Sequence, residues 1–169
     1  MDALNAIFTR RSIRAFRPDP VDPDAIRTIL EGAMHAASAG NQQPWRFVVI
    51  RDRAMLQAIA DMHPYGKMLP DAPLAILVCG DPGDAKWAVL WDQDCSACTE
   101  NLLIEAELLG LGAVWLGIHP LPEREAALRE LLGIPEQVVP FAIVPFGWPA
   151  QRKEPSDRYD AARIHSERW

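Results

Sequence analysis

An uninterrupted apolar run, LAILVCG at residues 74–80, constrains the fold of this chain more than any other feature. A membrane-spanning helix needs about 20 apolar residues, so the run is too short to form one. A short stretch without a charge, bounded by turn-forming residues, is typical of a strand that is buried on both faces of a sheet. We therefore predict a central, buried strand over residues 74–80.

The remaining pattern mixes strands with helices. Residues 46–51 and 113–117 are β-branched or apolar and bounded by loop signals, which predicts two further strands. A strand over 138–147 would contain Pro140 and Pro145, which suit an edge or a bulge because proline cannot donate a ladder hydrogen bond. Asp2 and Asp22 are predicted N-caps, the latter directly before Pro23 at the first helical position. Helical spacing and these caps predict helices after Asp2, from Pro23 to about residue 37, and over 53–61, 87–109 and 121–133. This mixture predicts an α/β or α+β fold.

Length and charge narrow the class of protein. A chain of 169 residues is about one domain, and its polar end suggests a C-terminal arm over residues 149–169. The 17 Lys and Arg against 23 Asp and Glu give a net charge of −6, which argues against nucleic-acid and membrane-surface binding. Three cysteines are an odd count, normal for a reducing compartment, and residues 1–11 lack the pattern of a secretory signal. We therefore expect one domain over residues 1–169 in a cytoplasmic protein.

Against this acidic background, segment 10–17 gathers four arginines at positions 10, 11, 14 and 17. A guanidinium presents a planar fork of donors that matches a phosphate, and Ser12 adds a hydroxyl donor between the arginines. The segment could therefore bind a phosphate monoester. It could equally be a solvated basic loop, or supply partners for the chain's own acids.

A second polar stretch, SAGNQQPW at residues 38–45, leads directly into a predicted strand. Its hydrogen-bonding side chains could read the donors and acceptors along the edge of a heteroaromatic ring. The alternative is an ordinary capped loop.

The sequence lacks the common motifs for nucleotide binding, nucleophilic catalysis and zinc binding. The phosphate loop GxxxxGK[ST], the dinucleotide fingerprint GxGxxG and the nucleophile motif GxSxG do not occur. Cys95 and Cys98 form a CxxC pair, but a zinc site needs two more ligands at matching spacing. The pair lies within a helical pattern, so we interpret both residues as core side chains. We therefore expect no metal site, and no catalytic acid or nucleophile.

Taken together, these stretches resemble the FMN-dependent nitroreductase family. The resemblance is carried by RRSIRAF at residues 10–16, by the loop and strand at 36–47, by the helix and strand at 94–120, and by VVPFAIVPFGWP at 138–149. It implies an α+β, three-layer α/β/α-like fold with a mixed, mainly antiparallel sheet flanked by helices. It also implies an intertwined homodimer with FMN at the interface between the subunits.

The resemblance further implies which residues bind FMN. The arginine segment would hold the phosphate and ribityl chain, the arm would close on the phosphate, and loop 38–43 would meet the flavin across the dimer interface. The strand end at 115–117 would lie beside the isoalloxazine ring. The implied cofactor-binding residues are Arg10, Arg11, Ser12, Ile13, Arg14, Ser38, Asn41, Gln43, Lys67, Trp115, Leu116, Gly117, Lys153 and Arg158.

The activity implied is hydride transfer from NADH or NADPH through flavin N5 to a small organic oxidant, such as a nitroaromatic or a quinone, in a ping-pong cycle. No catalytic side chain is required, since the flavin carries the chemistry. Two alternatives share the fold: a flavin carrier or sensor without turnover, and an enzyme that consumes reduced flavin. A fourth hypothesis, independent of the resemblance, is an acidic interaction protein whose arginines pair with a partner's acids.

Overall fold

The predicted central strand lies second in a five-stranded sheet. The computed structural model describes residues 2–83 and 86–169. The sheet order is β1-β2-β5-β3, with β4 also paired to β5, and every pair of strands is antiparallel. The strands are β1 Trp45–Ile50, β2 Leu74–Gly80, β3 Gly112–Ala113, β4 Leu116–Gly117 and β5 Val139–Gly147.

Five α-helices surround this sheet: α1 Ala3–Thr9, α2 Pro23–Met34, α3 Arg53–Met62, α4 Trp91–Leu108 and α5 Pro122–Leu132. The first three begin at aspartate caps, because an aspartate oxygen can accept from an otherwise unpaired N–H of the first turn. Asp22 accepts from the amide of Asp24 at 2.8 Å, directly before Pro23. The predicted caps at Asp2 and Asp22 are therefore confirmed. None of the helices in residues 2–83 and 86–169 is long and apolar enough to cross a membrane.

Strand β2 explains the three layers. All seven of its residues are buried, and successive side chains point to opposite faces of a strand. Ile76 and Val78 pack into a core with α2 and α4, whereas Ala75 and Leu77 pack into a second core with α3 and α5. The predicted three-layer α+β fold, with a mainly antiparallel sheet between helices, is confirmed.

The expectation that Pro140 and Pro145 mark an edge is wrong. Strand β5 lies inside the sheet, between β2 on one side and β3 and β4 on the other. The register with β2 shifts between Val78 and Cys79, so that Val78 faces Ala142 and Cys79 faces Pro140. This bulge accommodates a proline without an N–H in an interior strand. The alternative expectation of a bulge is confirmed for Pro140.

Three predicted elements differ from the structure. The helix predicted from Pro23 to about residue 37 ends at Met34. The strand predicted over residues 113–117 is two short strands, because Val114 and Trp115 between them leave the ladder with β5. The helix predicted from residue 87 becomes an α-helix only at Trp91, after a 3₁₀ turn at Ala88–Leu90.

Segment 10–17 is held against the end of the sheet. The Ile13 amide donates to the Ala113 carbonyl at 3.0 Å, and the Arg17 amide donates to the Trp148 carbonyl at 2.8 Å. The Ala150 amide in turn donates to the Ala15 carbonyl at 2.9 Å. The segment is therefore an extra strip beside β3 and the end of β5, with its backbone fixed by the sheet.

Candidate functional site

Segment 10–17 distributes its side chains among different surroundings because its backbone is extended along the sheet. Ile13 is buried in the core, against Gly112 of β3. Arg10, Arg11 and Arg14 line three separate cavities. The arginines predicted to act together are therefore not one cluster in this chain.

Arg10 shares a cavity of about 570 Å³ with Arg158 of the arm. The Arg10 guanidinium pairs with Glu100 of α4 at 3.1 Å, and both side chains are only partly exposed. Arg158 donates to the Ser156 hydroxyl at 3.0 Å. The structure thus brings one arginine from each end of the sequence to one cavity, which Glu100 and Asp157 also line.

Arg14 shares a cavity of about 470 Å³ with Lys67 and Asp71. Within residues 2–83 and 86–169, neither Arg14 nor Lys67 has a hydrogen-bond or ion-pair partner. Two unpaired cations that face one cavity favour an anionic or electron-rich ligand there. Lys67 lies in loop 64–67, which follows α3, so this cavity joins two distant parts of the sequence.

Arg11 and Lys153 have a different environment. The Arg11 guanidinium donates to the Glu154 carbonyl, and the Lys153 ammonium donates to the Ser12 carbonyl at 2.7 Å. Each cation thus binds the backbone of the other's segment. The pair fastens the beginning of the arm to segment 10–17.

Loop 38–43 is held by a buried carboxylate. Asp94 of α4 accepts from the Ala39 amide at 2.9 Å and from the Gln42 side chain at 2.6 Å. Asn41 and Gln43 have left-handed backbones, with φ of 57° and 48°. Such conformations cost free energy in residues other than glycine, and they persist only where surrounding bonds impose them.

The three predicted residues of this loop are bonded to one another. The Gln43 amide donates to the Ser38 hydroxyl at 3.2 Å, and its side chain donates to the Asn41 side chain at 2.9 Å. None of the three lines the cavities of Arg10 or Arg14. Within one chain, the structure therefore does not bring this loop to the arginines.

The strand end 115–117 combines a ring, a core residue and an open position. The Trp115 ring packs edge-on against Phe141, with centroids 5.6 Å apart, and Leu116 is buried. A Cβ built on Gly117 would have no atom within 4 Å among the described residues. The side of the Gly117 backbone on which a side chain would stand is therefore open.

Two residues that the sequence reasoning missed contact this strand end. His63 Nε2 lies 3.1 Å from the Gly117 carbonyl, and Arg124 donates to the same carbonyl at 2.8 Å. His63 ends α3 and Arg124 belongs to the first turn of α5. Neither stands in a motif, so only their meeting in space reveals them.

The cysteines belong to the core, as predicted. Cys79, Cys95 and Cys98 are free thiols and buried. Burial raises the pKa of Cys79 and of Cys98 to about 12, since it disfavours the thiolate. Within the described ranges, no group of three or more His, Cys, Asp or Glu side chains could hold a metal ion. The cavities instead offer cations, amides and an open backbone.

Comparisons with known proteins give the relatives of this chain. A model of the nitroreductase family matches residues 7–63 and 58–148. A protein of Archaeoglobus fulgidus, provisionally named NADH dehydrogenase/NAD(P)H nitroreductase, is 49% identical over 172 residues, which cover 99% of each chain.

Solved structures give the same result. A Bacteroides thetaiotaomicron protein with the same provisional name superposes with a TM-score of 0.94 at 40% identity, over 99% of this chain and 98% of that one. A provisionally named nitroreductase from Desulfovibrio desulfuricans, solved in complex with FMN, has a TM-score of 0.82 at 34% identity. The superposition covers 100% of this chain and 98% of the Desulfovibrio chain.

Proposed function

This chain belongs to the nitroreductase family, and from that premise we propose that it is an FMN-dependent oxidoreductase that takes hydride from NADH or NADPH. The observation that carries the proposal is the pair of unpaired cations, Arg14 and Lys67, which face one cavity of about 470 Å³. A related structure binds FMN, whose phosphate and electron-rich ring carbonyls suit such donors.

The donor set fits the two ends of FMN. Arg10 and Arg158 would hold the phosphate, since both line one cavity and a guanidinium can bind a phosphate through two parallel hydrogen bonds. Ser12 would add a donor to the ribityl chain.

At the other end of the cofactor, Arg14 and Lys67 would face the isoalloxazine ring, with Gly117 giving the ring room beside the strand end. Arg11, Ile13 and Lys153 would act indirectly, by holding segment 10–17 and the arm together.

When bound, FMN supplies the hydride chemistry, accepting hydride at N5 and passing it to a small organic oxidant, such as a nitroaromatic or a quinone, in a ping-pong cycle. The residues of the chain bind and orient it and set its electrostatic environment. Arg14 and Lys67 would favour a reduced ring that carries negative charge. For this reason the site needs no catalytic acid or nucleophile.

The working unit is a homodimer with the flavin at its interface. Ser38, Asn41 and Gln43 lie away from the arginine cavities of their own chain, so in a dimer they can serve the site of the partner subunit. Two groups of exposed apolar side chains support a dimer, because a monomer rarely leaves so many in water. They are Leu4, Ile7 and Phe8 on α1, and Tyr159, Ile164 and Trp169 on the arm. Residues 1–169 then form one FMN-binding domain, with residues 149–169 as an arm that reaches the partner.

One anaerobic titration tests the proposal. Purified protein is mixed with FMN, separated from free flavin, and titrated with NADH and then with NADPH while the absorption spectrum is recorded. We expect a retained yellow cofactor that bleaches with one of the donors and regains its colour when a nitroaromatic or quinone is added. Retained flavin that no donor bleaches would indicate a carrier or sensor. Protein that retains no flavin would overturn the proposal, and irreversible loss of the flavin spectrum in air would indicate a flavin-consuming enzyme.

A further inference from the structure

The His63 ring has a defined protonation state because both of its nitrogens are engaged. Nδ1 accepts from the Tyr65 amide at 3.2 Å, so it carries no proton. Nε2 lies 3.1 Å from the Gly117 carbonyl and therefore donates to it. His63 is 2% exposed, so water does not replace either bond. The ring is held as the neutral Nε2–H tautomer.

The positive charge of Arg124 favours the neutral form of the ring. It donates to the Gly117 carbonyl at 2.8 Å, and the same Nη1 lies 3.4 Å from His63 Nε2. Burial lowers the pKa of His63, the hydrogen bond to the Gly117 carbonyl partly offsets this by raising it, and the nearby positive charge of Arg124 lowers it again. The Tyr65 ring also faces the imidazole, with centroids 6.2 Å apart, and no carboxylate pairs with His63 within the described ranges.

These contacts connect the cavity that contains Arg14 to the strand end 115–117. Tyr65 and Lys67 of loop 64–67 line the cavity that contains Arg14. Gly117 lies in the strand end that we assign to the flavin ring. His63 bonds to both, and the bond that it donates to Gly117 crosses from α3 to β4.

We propose that His63 and Arg124 are positioning residues that join loop 64–67 to the strand end 115–117, and that protonation of His63 releases this junction. The inference rests on the proposed flavin site. A proton on Nδ1 would turn it from an acceptor into a donor that faces the Tyr65 N–H, so that bond breaks. It would also place a second positive charge beside Arg124. Loop 64–67 then keeps the bond from the Gly66 amide to the His63 carbonyl but loses its attachment to the imidazole, so Tyr65 and Lys67 are held less firmly at the cavity.

The sign of the pH dependence follows from the lowered pKa. An unfolded histidine has a pKa of about 6.5. Because the pKa is lower in the folded protein, the unfolded chain binds more protons, and stability falls as the pH drops below about 6.5. The junction is therefore intact at neutral pH and opens in acid.

Two variants separate the roles of the ring nitrogens. His63→Gln keeps an N–H near the position of Nε2 and cannot titrate, whereas His63→Asn keeps an acceptor near the position of Nδ1. Arg124→Gln keeps a donor for the Gly117 carbonyl but removes the charge. If Arg124 acts through its charge, Arg124→Gln moves the acid transition of the otherwise native protein to higher pH, which a purely structural role would not do.

The first measurement is the protection of the Tyr65 amide against hydrogen exchange, from pH 5.0 to 7.5, in protein without flavin. We expect about tenfold loss of protection in acid for the native chain, the scale of one hydrogen bond to an ionisable group. His63→Asn should keep its protection across the range. Equal protection of the native amide at both pH values would overturn the proposal, even if the chain bound no flavin.

The second measurement is the FMN dissociation constant from the quenching of flavin fluorescence over the same pH range. The phosphate of FMN also titrates near pH 6, so His63→Gln provides the reference curve. We expect the native protein to lose about tenfold more affinity in acid than His63→Gln. Superposed curves would refute the coupling to the flavin site while leaving the proposed function intact. Absence of FMN binding at pH 7.5 would refute the proposed function instead.

Discussion

Ile13 lies so close to Gly112 that a Cβ on the glycine would be 2.6 Å from Ile13 Cγ2. That approach lets the Ile13 amide reach the Ala113 carbonyl at 3.0 Å and holds segment 10–17 against β3. The absence of a side chain at Gly112 thus allows segment 10–17, with its arginines, to lie against β3. The first prediction tests this relationship.

Gly112→Ala should destabilise the protein by about 1–3 kcal/mol, since a methyl group forced into a packed contact displaces its neighbours. The affinity for FMN should fall as well, because a displacement of Ile13 also moves its neighbours Ser12 and Arg14. Urea unfolding and flavin fluorescence measure the two effects. Gly117→Ala is the matched control for stability, as its Cβ would meet no described atom within 4 Å. It should leave the free energy of unfolding almost unchanged and weaken only FMN binding. Similar stability losses in both variants would contradict this account.

Arg14→Ala should weaken FMN binding by about 1.5–3 kcal/mol, which is roughly tenfold or more, because it removes an ionic donor from the ring cavity. Ser12→Ala should also weaken it, by the smaller amount of a neutral hydrogen bond. The control is Arg17→Ala, in the same segment, because that guanidinium pairs with Asp19 at 3.6 Å and lies over the Trp148 ring. Fluorescence titration gives the dissociation constants. Equal affinity of all three variants would exclude the segment from the site.

Asp94→Ala should cost about 1–3 kcal/mol, because it leaves the partly buried Ala39 amide and the Gln42 side chain without their acceptor. For a chain of this length that corresponds to a fall in Tm of roughly 2–4 °C for each kcal/mol. Asp92→Ala on the same helix is the control, since its carboxylate bonds only the neighbouring Gln93 amide at 2.9 Å. Thermal unfolding gives the Tm of both variants for comparison with the native chain. If the two losses are equal, Asp94 does not hold loop 38–43.

The three cysteines should resist thiol reagents at pH 8 in the folded protein. The reactive species is the thiolate, and a pKa of about 12 for Cys79 and for Cys98 leaves almost none of it. The pKa of Cys95 is raised as well, first by burial. Colorimetric titration should detect three thiols only after denaturation. Rapid modification of any of the three thiols in the native protein would contradict this account.

Leu4→Glu should weaken the proposed homodimer, because it places a charge within the exposed apolar face of α1. Leu4→Met keeps the apolar area and is the matched control. Sedimentation velocity at several protein concentrations measures the effect. We expect a dimer for the native chain and for Leu4→Met, and dissociation at higher concentrations for Leu4→Glu. A native chain that sediments as a monomer would refute the dimer itself.

Local chemistry made much of the fold predictable. The run at 74–80 could only be satisfied by burial on both faces, and Asp22 before Pro23 could only begin a helix. The arginine segment could also be recognised from the sequence, because four cations without an acid between them are unusual in an acidic chain. The sequence did not predict that the arginines of this segment line three separate cavities. The direction of each side chain depends on how the segment lies against the neighbouring strand.

The sequence by itself determined the order of most strands and helices, the caps at Asp2 and Asp22, the buried strand at 74–80, and that a run of arginines lies near the start of the chain. These follow from periodicity and from bonds between residues close in sequence. Only the tertiary structure decided that β5 lies inside the sheet, that Asp94 holds loop 38–43, and that His63 meets Arg124 at Gly117. The contacts of Asp94 with loop 38–43 and of His63 with Gly117 join residues more than fifty positions apart. A local sequence pattern does not predict such contacts, because their partners come together only when the layers pack.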